Sequence, residues 1–503
     1  MPLELPLLDQ PSRHGFSLRV SAPLTDTPDL LPGREPREGE QYRFHFNMAK
    51  CIGCKCCVVA CNEQNGNPAE LNWRRVGELE GGVFPETQRW HMSTGCNHCV
   101  EPSCMIGCPV EAYSKDPKTG IVDHNPDICI GCQYCTWNCS YGVPQYNPER
   151  GVVGKCDMCH TRLEDGMAPA CVNACPEEAI AIEIVNVRAW RQYHAAGDAP
   201  GLPSSFDSLS TTRVTLPSGL DRMDEGLARV DRGRVHPQHP HFSLIALLVM
   251  IQLAVGVLGT LWAMSVAGAA LKPWAALIPI AIAGAALAVA PLHLGRPALA
   301  HRALKNWRRS WLSREVLALS VFAETAAVYA AALAVHLPWA AEAGAVALVF
   351  GLIGVMCSAR IYMVVARPAW NLPFTFSDFY LTCAVLGPRL VLAAGLGHGA
   401  WLIGFAIAAS VLQVSNTVAR LVAMWRSPVE ELHGAAELQR GKLRRVLIAR
   451  FCCVALAIAL VPVNPIAAFL FSLMSETLGR YLFFAGVVPK SVASTFLTPK
   501  EAA

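Results

Sequence analysis

Seventeen of the 21 cysteines in this 503-residue sequence lie between Cys51 and Cys175. Sixteen of them form four groups: Cys51, Cys54, Cys57 and Cys61; Cys96, Cys99, Cys104 and Cys108; Cys129, Cys132, Cys135 and Cys139; Cys156, Cys159, Cys171 and Cys175. Two groups have the spacing C-x2-C-x2-C-x3-C, and the other two are each followed by a proline. In that motif three thiolates ligate one cubane and the fourth ligates the neighbouring one. The spacing therefore predicts four [4Fe–4S] clusters.

Zinc sites and disulfide bonds are the alternative uses of so many cysteines. C-x2-C pairs bind zinc in many proteins, and small secreted domains use cysteines as disulfide frameworks. Zinc does not require three closely spaced cysteines with a fourth that serves another site. Disulfides are rare in the cytosol, where the loop charges described below place this part of the chain. We therefore expect iron–sulfur clusters.

Cys56 is the seventeenth cysteine of this region and has no place in the four groups. Its neighbour Cys57 completes the motif, whereas ligation by Cys56 would change the spacing to one and four residues. We expect Cys56 to be a small side chain packed beside the cluster. Ligand exchange with Cys57 is the alternative.

The cysteine groups belong to a segment, residues 43–193, in which short strands are predicted. The sequence "YRFHFNM" at 42–48 alternates in polarity like a strand. The sequence "AYSKDPKTGIVDHNPD" indicates two short strands around a turn that contains Pro and Gly. The flanking segments are polar: residues 1–42 are expected to be a mobile extension, and residues 194–240 a linker.

Long apolar segments follow from residue 241 to residue 490, and each is about 20 residues long, enough to span a membrane. We expect eight transmembrane helices near 242–266, 274–292, 315–336, 343–366, 377–396, 400–424, 446–463 and 465–488. Residues 491–503 form a short C-terminal tail. So many apolar segments in succession indicate an integral membrane domain in a lipid bilayer rather than a soluble helical core.

Lysine and arginine residues concentrate in alternate loops of this membrane domain. The basic residues before the first helix and after the second, fourth and sixth helices are Arg229, Arg232, Arg234, Arg296, Arg302, Lys305, Arg308, Arg309, Arg314, Arg367, Arg426, Arg440, Lys442, Arg444 and Arg445. The opposite loops contain Lys272 alone. Positive loops remain in the cytoplasm, so the cysteine groups are predicted on the cytoplasmic side of a bacterial or archaeal inner membrane. The net charge of +3 gives no indication of a nucleic-acid partner.

The cysteine segment resembles the four-cluster iron–sulfur subunit of dimethyl-sulfoxide-reductase-type molybdenum enzymes. The resemblance covers residues 43–187 and is carried by "CIGCKCCVVAC", "CNHCVEPSCMIGCP", "CIGCQYCTWNC" and "KCDMCHTRLEDGMAPACVNACP". It implies an α+β double ferredoxin-like domain in which the first group pairs with the fourth and the second with the third. The implied ligand sets are Cys51, Cys54, Cys57 and Cys175; Cys61, Cys156, Cys159 and Cys171; Cys96, Cys99, Cys104 and Cys139; Cys108, Cys129, Cys132 and Cys135.

The membrane domain resembles the anchor subunit of the same family, through "LHLGRP" at 292–297, "SWLSREV" at 310–316 and "ARIYMVVARPAW" at 359–370. The family resemblance implies an all-α bundle that binds quinone, menaquinone or ubiquinone, without haem. The candidate quinone-site residues in these motifs are His293, Arg296, Glu315, Arg360 and Tyr362. A histidine and a carboxylate near the membrane edge suit quinone chemistry, which moves two protons with two electrons. The alternative roles are a helix-end histidine bonded to a carbonyl and a charge near a helix N-terminus.

The two resemblances together imply a non-catalytic electron-transfer and membrane-anchor subunit. Electrons would pass between the membrane quinone pool and a separate molybdopterin-containing catalytic subunit. A cytoplasm-facing sulfite dehydrogenase of the same family, which reduces quinone, is the alternative. A more distant alternative is a redox-linked ion transporter, for which Glu324 is the main candidate residue within a span.

Overall fold

The computed structural model describes residues 30–220, 226–230 and 235–490. An N-terminal region of small sheets and short helices is followed by a bundle of long helices. This order confirms the fold class predicted from the sequence. The first 29 residues of the predicted extension and the C-terminal tail lie outside the described residues.

Within the described residues, the N-terminal region contains ten strands in four small sheets. The strands are β1 (Glu40–Asn47), β2 (Arg75–Gly81), β3 (Gln88–Thr94), β4 (Tyr113–Lys115), β5 (Val122–His124), β6 (Gln145–Asn147), β7 (Val152–Gly154), β8 (Ile180–Asn186), β9 (Arg213–Thr215) and β10 (Leu227–Arg229). The sheets have the orders β8-β1-β9 and β10-β2-β3, and β4-β5 and β6-β7 are two-stranded hairpins. Strand β1 contains most of the predicted strand at 42–48, and β4 and β5 are the two predicted strands around a turn.

Six short helices accompany these strands, and most of them begin within or beside a cysteine group. They are α1 (Cys56–Asn65), α2 (Ser103–Gly107), α3 (Tyr134–Asn138), α4 (His160–Glu164), α5 (Ala170–Asn173) and α6 (Val187–Tyr193).

The predicted linker, residues 194–240, is folded onto this region over much of its length. Strand β9 pairs in parallel with β1, and β10 pairs with the edge of β2. Val214 of β9 is buried in the core. Leu30 is also buried, and its carbonyl accepts a hydrogen bond from the Ile182 amide at 3.0 Å. These long-range pairings give a polar segment a fixed position that its composition does not indicate.

The membrane domain contains nine helices among the described residues. They are α7 (Phe242–Val266), α8 (Leu277–Val289), α9 (Trp311–Ala334), α10 (Ala340–Tyr362), α11 (Phe374–Ala393), α12 (Ala400–Trp425), α13 (Glu430–Arg440), α14 (Arg444–Leu460) and α15 (Pro465–Ala485). Turns of 3-10 helix extend α8 to the range Pro273–His293. Helix α9 begins four residues before the predicted boundary, so Glu315 lies in its second turn.

Seven of the described helices are long and apolar enough to cross a membrane. The remaining predicted span corresponds to α14, which has 17 residues and packs beside α15. The expectation of about eight spans is therefore close. Between α12 and α14, the short helix α13 carries polar residues and occupies one of the basic loops.

The two halves of the chain meet through direct backbone contact. A Cβ built on Gly295 would overlap the carbonyl oxygen of Gly151, and one built on Gly131 would lie 2.9 Å from the Cα of Gly295. The Asn306 side chain donates to the Cys108 carbonyl at 2.8 Å, and Ser310 Oγ donates to the Gly107 carbonyl at 2.9 Å. The loop between α8 and α9 thus holds the cysteine region against the membrane domain.

Replacement of Gly295 by alanine is expected to lower the unfolding temperature of the purified chain in detergent. The added Cβ meets the Gly151 carbonyl, and overpacking of this kind costs about 1–3 kcal/mol. Tryptophan fluorescence during heating measures the change. Gly284→Ala in α8 is the matched control, because a Cβ there has nothing within 4 Å. Equal unfolding temperatures for the two variants would contradict a tight contact at Gly295.

Candidate functional site

Each cysteine group begins with the same backbone turn. In every C-x2-C pair that opens a group, the residue before the second cysteine has a positive φ: Gly53 at 73°, His98 at 41°, Gly131 at 69° and Met158 at 60°. This left-handed residue curls the chain, so backbone amides approach the sulfur atoms. The Gly131 amide donates to Cys129 Sγ and the Met158 amide to Cys156 Sγ, both at 3.4 Å. Donors to sulfur are one means by which proteins tune iron–sulfur clusters.

The thiols of the first and fourth cysteine groups come together as two sets. Cys51 interacts electrostatically with Cys54, Cys57 and Cys175, and all four side chains line one cavity. We call these four residues set 1. The next set is built around a different cysteine of the first group.

Cys61 interacts electrostatically with Cys156, Cys159 and Cys171. These four residues form set 2. Three of its cysteines come from the fourth group and one from the first, so the first and fourth groups exchange one ligand each. This is the exchange that the family resemblance implies.

The second and third groups exchange one cysteine in the same way. Set 3 consists of Cys96, Cys99, Cys104 and Cys139, which line a second cavity. Set 4 consists of Cys108, Cys129, Cys132 and Cys135, whose thiols act on one another electrostatically. The structure therefore brings together the sixteen predicted ligands in the predicted four sets.

The four sets follow one another in a line. Cys57 of set 1 interacts with Cys171 of set 2, and Cys156 of set 2 interacts with Cys96 of set 3. Tyr113 interacts with thiols of both set 3 and set 4. Set 4 is next to the membrane domain, since the Cys108 carbonyl accepts from Asn306 of the loop between α8 and α9.

Many of these thiols are buried, which disfavours the thiolate form. Burial raises the pKa of Cys51 to about 11 and the pKa values of Cys99 and Cys132 to about 12. Such thiols stay protonated at neutral pH, and binding of iron displaces the protons. In the part of the chain that the structure describes, no group of three or more His, Cys, Asp or Glu is close enough to hold a single metal ion. The fit to clusters therefore rests on the four thiol sets and on the two cavities that they line.

Cys56 does not pack beside the cluster as expected, because its side chain is exposed. Helix α1 begins at Cys56, and the next residue, Cys57, is the one that is buried. Lys55 precedes the helix in a left-handed conformation, with φ 64°. The exposed thiol interacts with its neighbour Cys54.

Glu315 is buried, with 8% of its surface exposed, and accepts a hydrogen bond from the Ser358 hydroxyl of α10. Its charge also acts on Tyr134, which lies on α3 between two ligands of set 4. Tyr362 is buried and also interacts electrostatically with Glu315. The carboxylate thus lies between two membrane helices and the helix that carries Cys135.

His293 ends the 3-10 turn after α8, and its Nδ1 donates to the Ala290 carbonyl. This bond leaves Nε2 as the acceptor nitrogen of the neutral ring. His241, just before α7, is close enough for the two rings to interact electrostatically. Burial and then the charges of His239, His293 and Arg367 lower the pKa of His241 to about 4.

Trp137 of α3 joins set 4 to the membrane domain. Its ring centroid lies 5.4 Å from that of His241, 5.5 Å from Trp370 and 5.9 Å from Tyr362. Sequence reasoning did not identify Trp137, although its position between Cys135 and Cys139 was a usable signal. A large aromatic side chain buries much apolar area when it packs. A tryptophan between two cysteine ligands therefore indicates that another part of the protein packs against this turn.

A cavity of about 240 Å³ opens where α9 and α10 meet the cysteine region. Tyr134, Trp311 and Arg360 contribute to its lining, and the Arg360 guanidinium lies 5.5 Å from the Trp311 ring centroid. Of the five candidate quinone-site residues only Arg360 lines this cavity, whereas His293, Arg296, Glu315 and Tyr362 do not. Arg296 donates instead to the Pro126 carbonyl at 2.8 Å and so contacts the cysteine region.

A network of charged and amide side chains occupies the interior of the membrane bundle. Asp378 pairs with Arg480 and lies 3.7 Å from Arg450. Gln413 Nε2 donates to Asp378 Oδ1 and to Glu476 Oε2, both at 2.9 Å. Arg450, Arg480 and Glu476 thus have partners inside the bundle. Glu324, the candidate for ion transport, lies on the exposed face of α9.

Comparisons with known proteins match the cysteine region and the membrane domain to two different families. The 4Fe-4S dicluster domain family matches residues 88–184, and the DMSO reductase anchor subunit (DmsC) family matches residues 237–485. The B subunit of anaerobic dimethyl sulfoxide reductase from Haemophilus influenzae is 41% identical over 188 residues, which are 36% of this protein and 87% of the relative.

Two proteins of Escherichia coli are similar to a comparable extent. The probable anaerobic dimethyl sulfoxide reductase subunit YnfG is 40% identical over 162 residues, 31% of this protein and 78% of the relative. The B subunit of the anaerobic dimethyl sulfoxide reductase of the same organism is 40% identical over 148 residues, 28% of this protein and 72% of the relative.

Cys57→Ser is expected to lower the iron content of the purified chain, whereas Cys56→Ser leaves it unchanged. A chain with four cubanes holds about sixteen irons. Cys57 belongs to set 1 and is buried, whereas Cys56 is exposed. Elemental analysis measures iron and zinc. Equal iron loss in both variants would contradict the assignment of Cys56, and half the iron with zinc in its place would contradict the clusters.

Proposed function

Because this chain belongs to the family of dimethyl sulfoxide reductase iron–sulfur subunits, here fused to the anchor domain, we propose that it connects membrane quinone to a separate molybdopterin catalytic subunit. It is a multi-pass membrane protein and an electron-transfer subunit of a reductase family. In the proposed function, four [4Fe–4S] clusters carry the electrons, with the sixteen cysteines of sets 1 to 4 as ligands.

The linear order of the four sets is the observation that carries this proposal. Set 4 contacts the membrane domain through Asn306, and set 1 is at the far end of the line. At that end Cys54 is exposed, and Ile52 and Val59 have 58% and 60% of their surface exposed. Exposed apolar side chains around a redox site suit the docking of a partner. The catalytic subunit is therefore proposed to bind at set 1.

The quinone is proposed to react beside set 4, at the cavity that Trp311 and Arg360 line. Oxidation of a quinol releases two electrons and two protons. Glu315 does not line the cavity, but its charge acts on Tyr134, which does. We propose that it accepts one proton, because its described hydrogen-bond partner is the Ser358 hydroxyl rather than a cation. His293 is proposed to accept the other at Nε2. The electrons pass to set 4, with Trp137 packed between set 4 and the membrane helices.

The opposite direction of electron flow is the second candidate function. The basic loops favour a cytoplasmic cysteine region, and a cytoplasm-facing sulfite dehydrogenase of this family would reduce quinone. The catalytic subunit that co-purifies with the protein distinguishes the two directions, by reduction of a sulfoxide or by oxidation of sulfite.

Glu315→Gln and His293→Ala are each expected to slow the reduction of the clusters by quinol by about tenfold or more, since loss of an acid–base group typically costs that much or more. Reduction by dithionite bypasses the quinone and should be unchanged. Stopped-flow absorbance of the cluster bands measures both rates in the full complex. Glu324→Gln is the matched control on the exposed face of α9. A normal quinol rate in either variant, with full iron content, would remove that residue from the site.

Fusions to reporter proteins test the proposed cytoplasmic side. A fluorescent protein fused after residue 503 is expected to fluoresce, and alkaline phosphatase fused there to be inactive, because eight spans return the chain to the cytoplasm. Alkaline phosphatase fused after Gly268, in the turn between α7 and α8, is expected to be active. The reverse pattern would place the cysteine region on the outer side.

A further inference from the structure

Two cations are buried inside the cysteine region without a carboxylate partner. Arg74 and Lys155 each have only 3% of their surface exposed. Neither lies within 4.0 Å of a carboxylate oxygen among residues 30–220, 226–230 and 235–490. A buried, unpaired charge costs several kcal/mol, so folded proteins supply a counter-charge. The surroundings of both side chains indicate what supplies it here.

Arg74 lies between set 1 and set 2. Its Nη1 donates to Ser93 Oγ at 3.2 Å, and that oxygen is 3.5 Å from Cys57 Sγ of set 1. The thiols that act on its charge also include Cys171 and Cys61 of set 2. Its Nη2 is buried without a partner at ordinary hydrogen-bond geometry, and the guanidinium lies close enough to the Cys171 thiol to interact with it as a donor. An N–H at this place is suited to a cluster sulfur.

Lys155 lies between set 2 and set 3. Its Nζ donates to the Val122 carbonyl and, at 2.7 Å, to the Cys156 carbonyl. The thiols of Cys96 and Cys156 act most strongly on its charge, ahead of Asp123. An ammonium group has three N–H donors, and the two carbonyls use two of them.

Set 4 has no comparable cation in the part of the chain that the structure describes. The pKa values of Cys108, Cys132 and Cys135 are set mainly by burial, by backbone amides and by neighbouring sulfur or hydroxyl groups. Set 3 has a further cation in Lys115, whose Nζ donates to the Cys99 carbonyl at 2.8 Å. The buried positive charge is thus concentrated on the three sets away from the membrane.

We propose that Arg74 and Lys155 are fixed counter-ions that raise the reduction potentials of the clusters in sets 1 to 3. Arg74 acts on sets 1 and 2, Lys155 acts on sets 2 and 3, and set 4 receives neither effect. The inference rests on the proposed function, because it requires a cluster in each set. Reduction of a cubane adds one electron and breaks no bond, so a nearby fixed cation favours the reduced state. Set 2 is the one set on which both Arg74 and Lys155 act.

Redox titration of the full-length protein, monitored by electron paramagnetic resonance, tests the proposal. Arg74→Gln and Lys155→Met remove the charges, and Arg74→Lys and Lys155→Arg retain them. Each charge-removing variant is expected to reduce the equilibrium constant for reduction of its two clusters by about tenfold or more, a shift of about 59 mV for a one-electron couple. The reduction potential of the cluster in set 2 should fall in both variants, and that of the cluster in set 4 should change in neither. Lys118→Gln, at an exposed position of the same region, is the control.

Iron content separates the possible outcomes. A wild-type chain without four-iron signals would overturn the proposed function itself. Full iron with four unchanged potentials, or with equal shifts in all four clusters, would overturn only the role of the cations. Iron loss in both charge-removing variants, with full iron in the charge-retaining ones, would assign the cations to cluster assembly and would also overturn it.

Discussion

The close contact between the Gly131 turn and the Gly295 loop is the constraint on which the rest of the structure depends. Electron transfer requires short distances, so set 4 must lie against the membrane domain. Side chains would separate the two backbones, and glycines at both positions allow them to touch. The Asn306 and Ser310 side chains then satisfy the carbonyls of Cys108 and Gly107, which would otherwise be buried without partners.

The cysteine region resolves a conflict between burial and charge. Sixteen cysteine side chains and several cations lie in a small region in which isolated charges are unfavourable. Backbone amides donate to sulfur, as at Gly131 and Met158, and buried cations lie beside the sulfur atoms. The positive φ of the same residue in all four groups shows that one local solution is repeated four times.

The sequence predicted features that depend on nearby residues better than features that depend on distant ones. The cysteine spacing predicted the four groups, and polarity predicted β1, β4, β5 and the apolar helices. The four thiol sets join distant groups, and only the family resemblance implied them. The positions of β9, β10 and Trp137 depend on partners far away in the chain, such as β1, β2 and Tyr362. The predicted span begins at Glu315 because Arg314 and the basic residues before it resemble a loop, whereas α9 begins at Trp311.

The carboxylates of the membrane domain have different partners, and these partners determine what each can do. Asp378 is ion-paired with Arg480 and lies near Arg450, so its negative charge is favoured and it is a poor proton carrier. Its bonds to α12 and α15 instead stabilise the packing of the helices. Glu315 accepts from a hydroxyl and has no ion pair among the described residues, so no neighbouring cation favours its charged form. Redox-linked proton transfer is therefore expected at Glu315, next to set 4, rather than in the ionic network of the bundle.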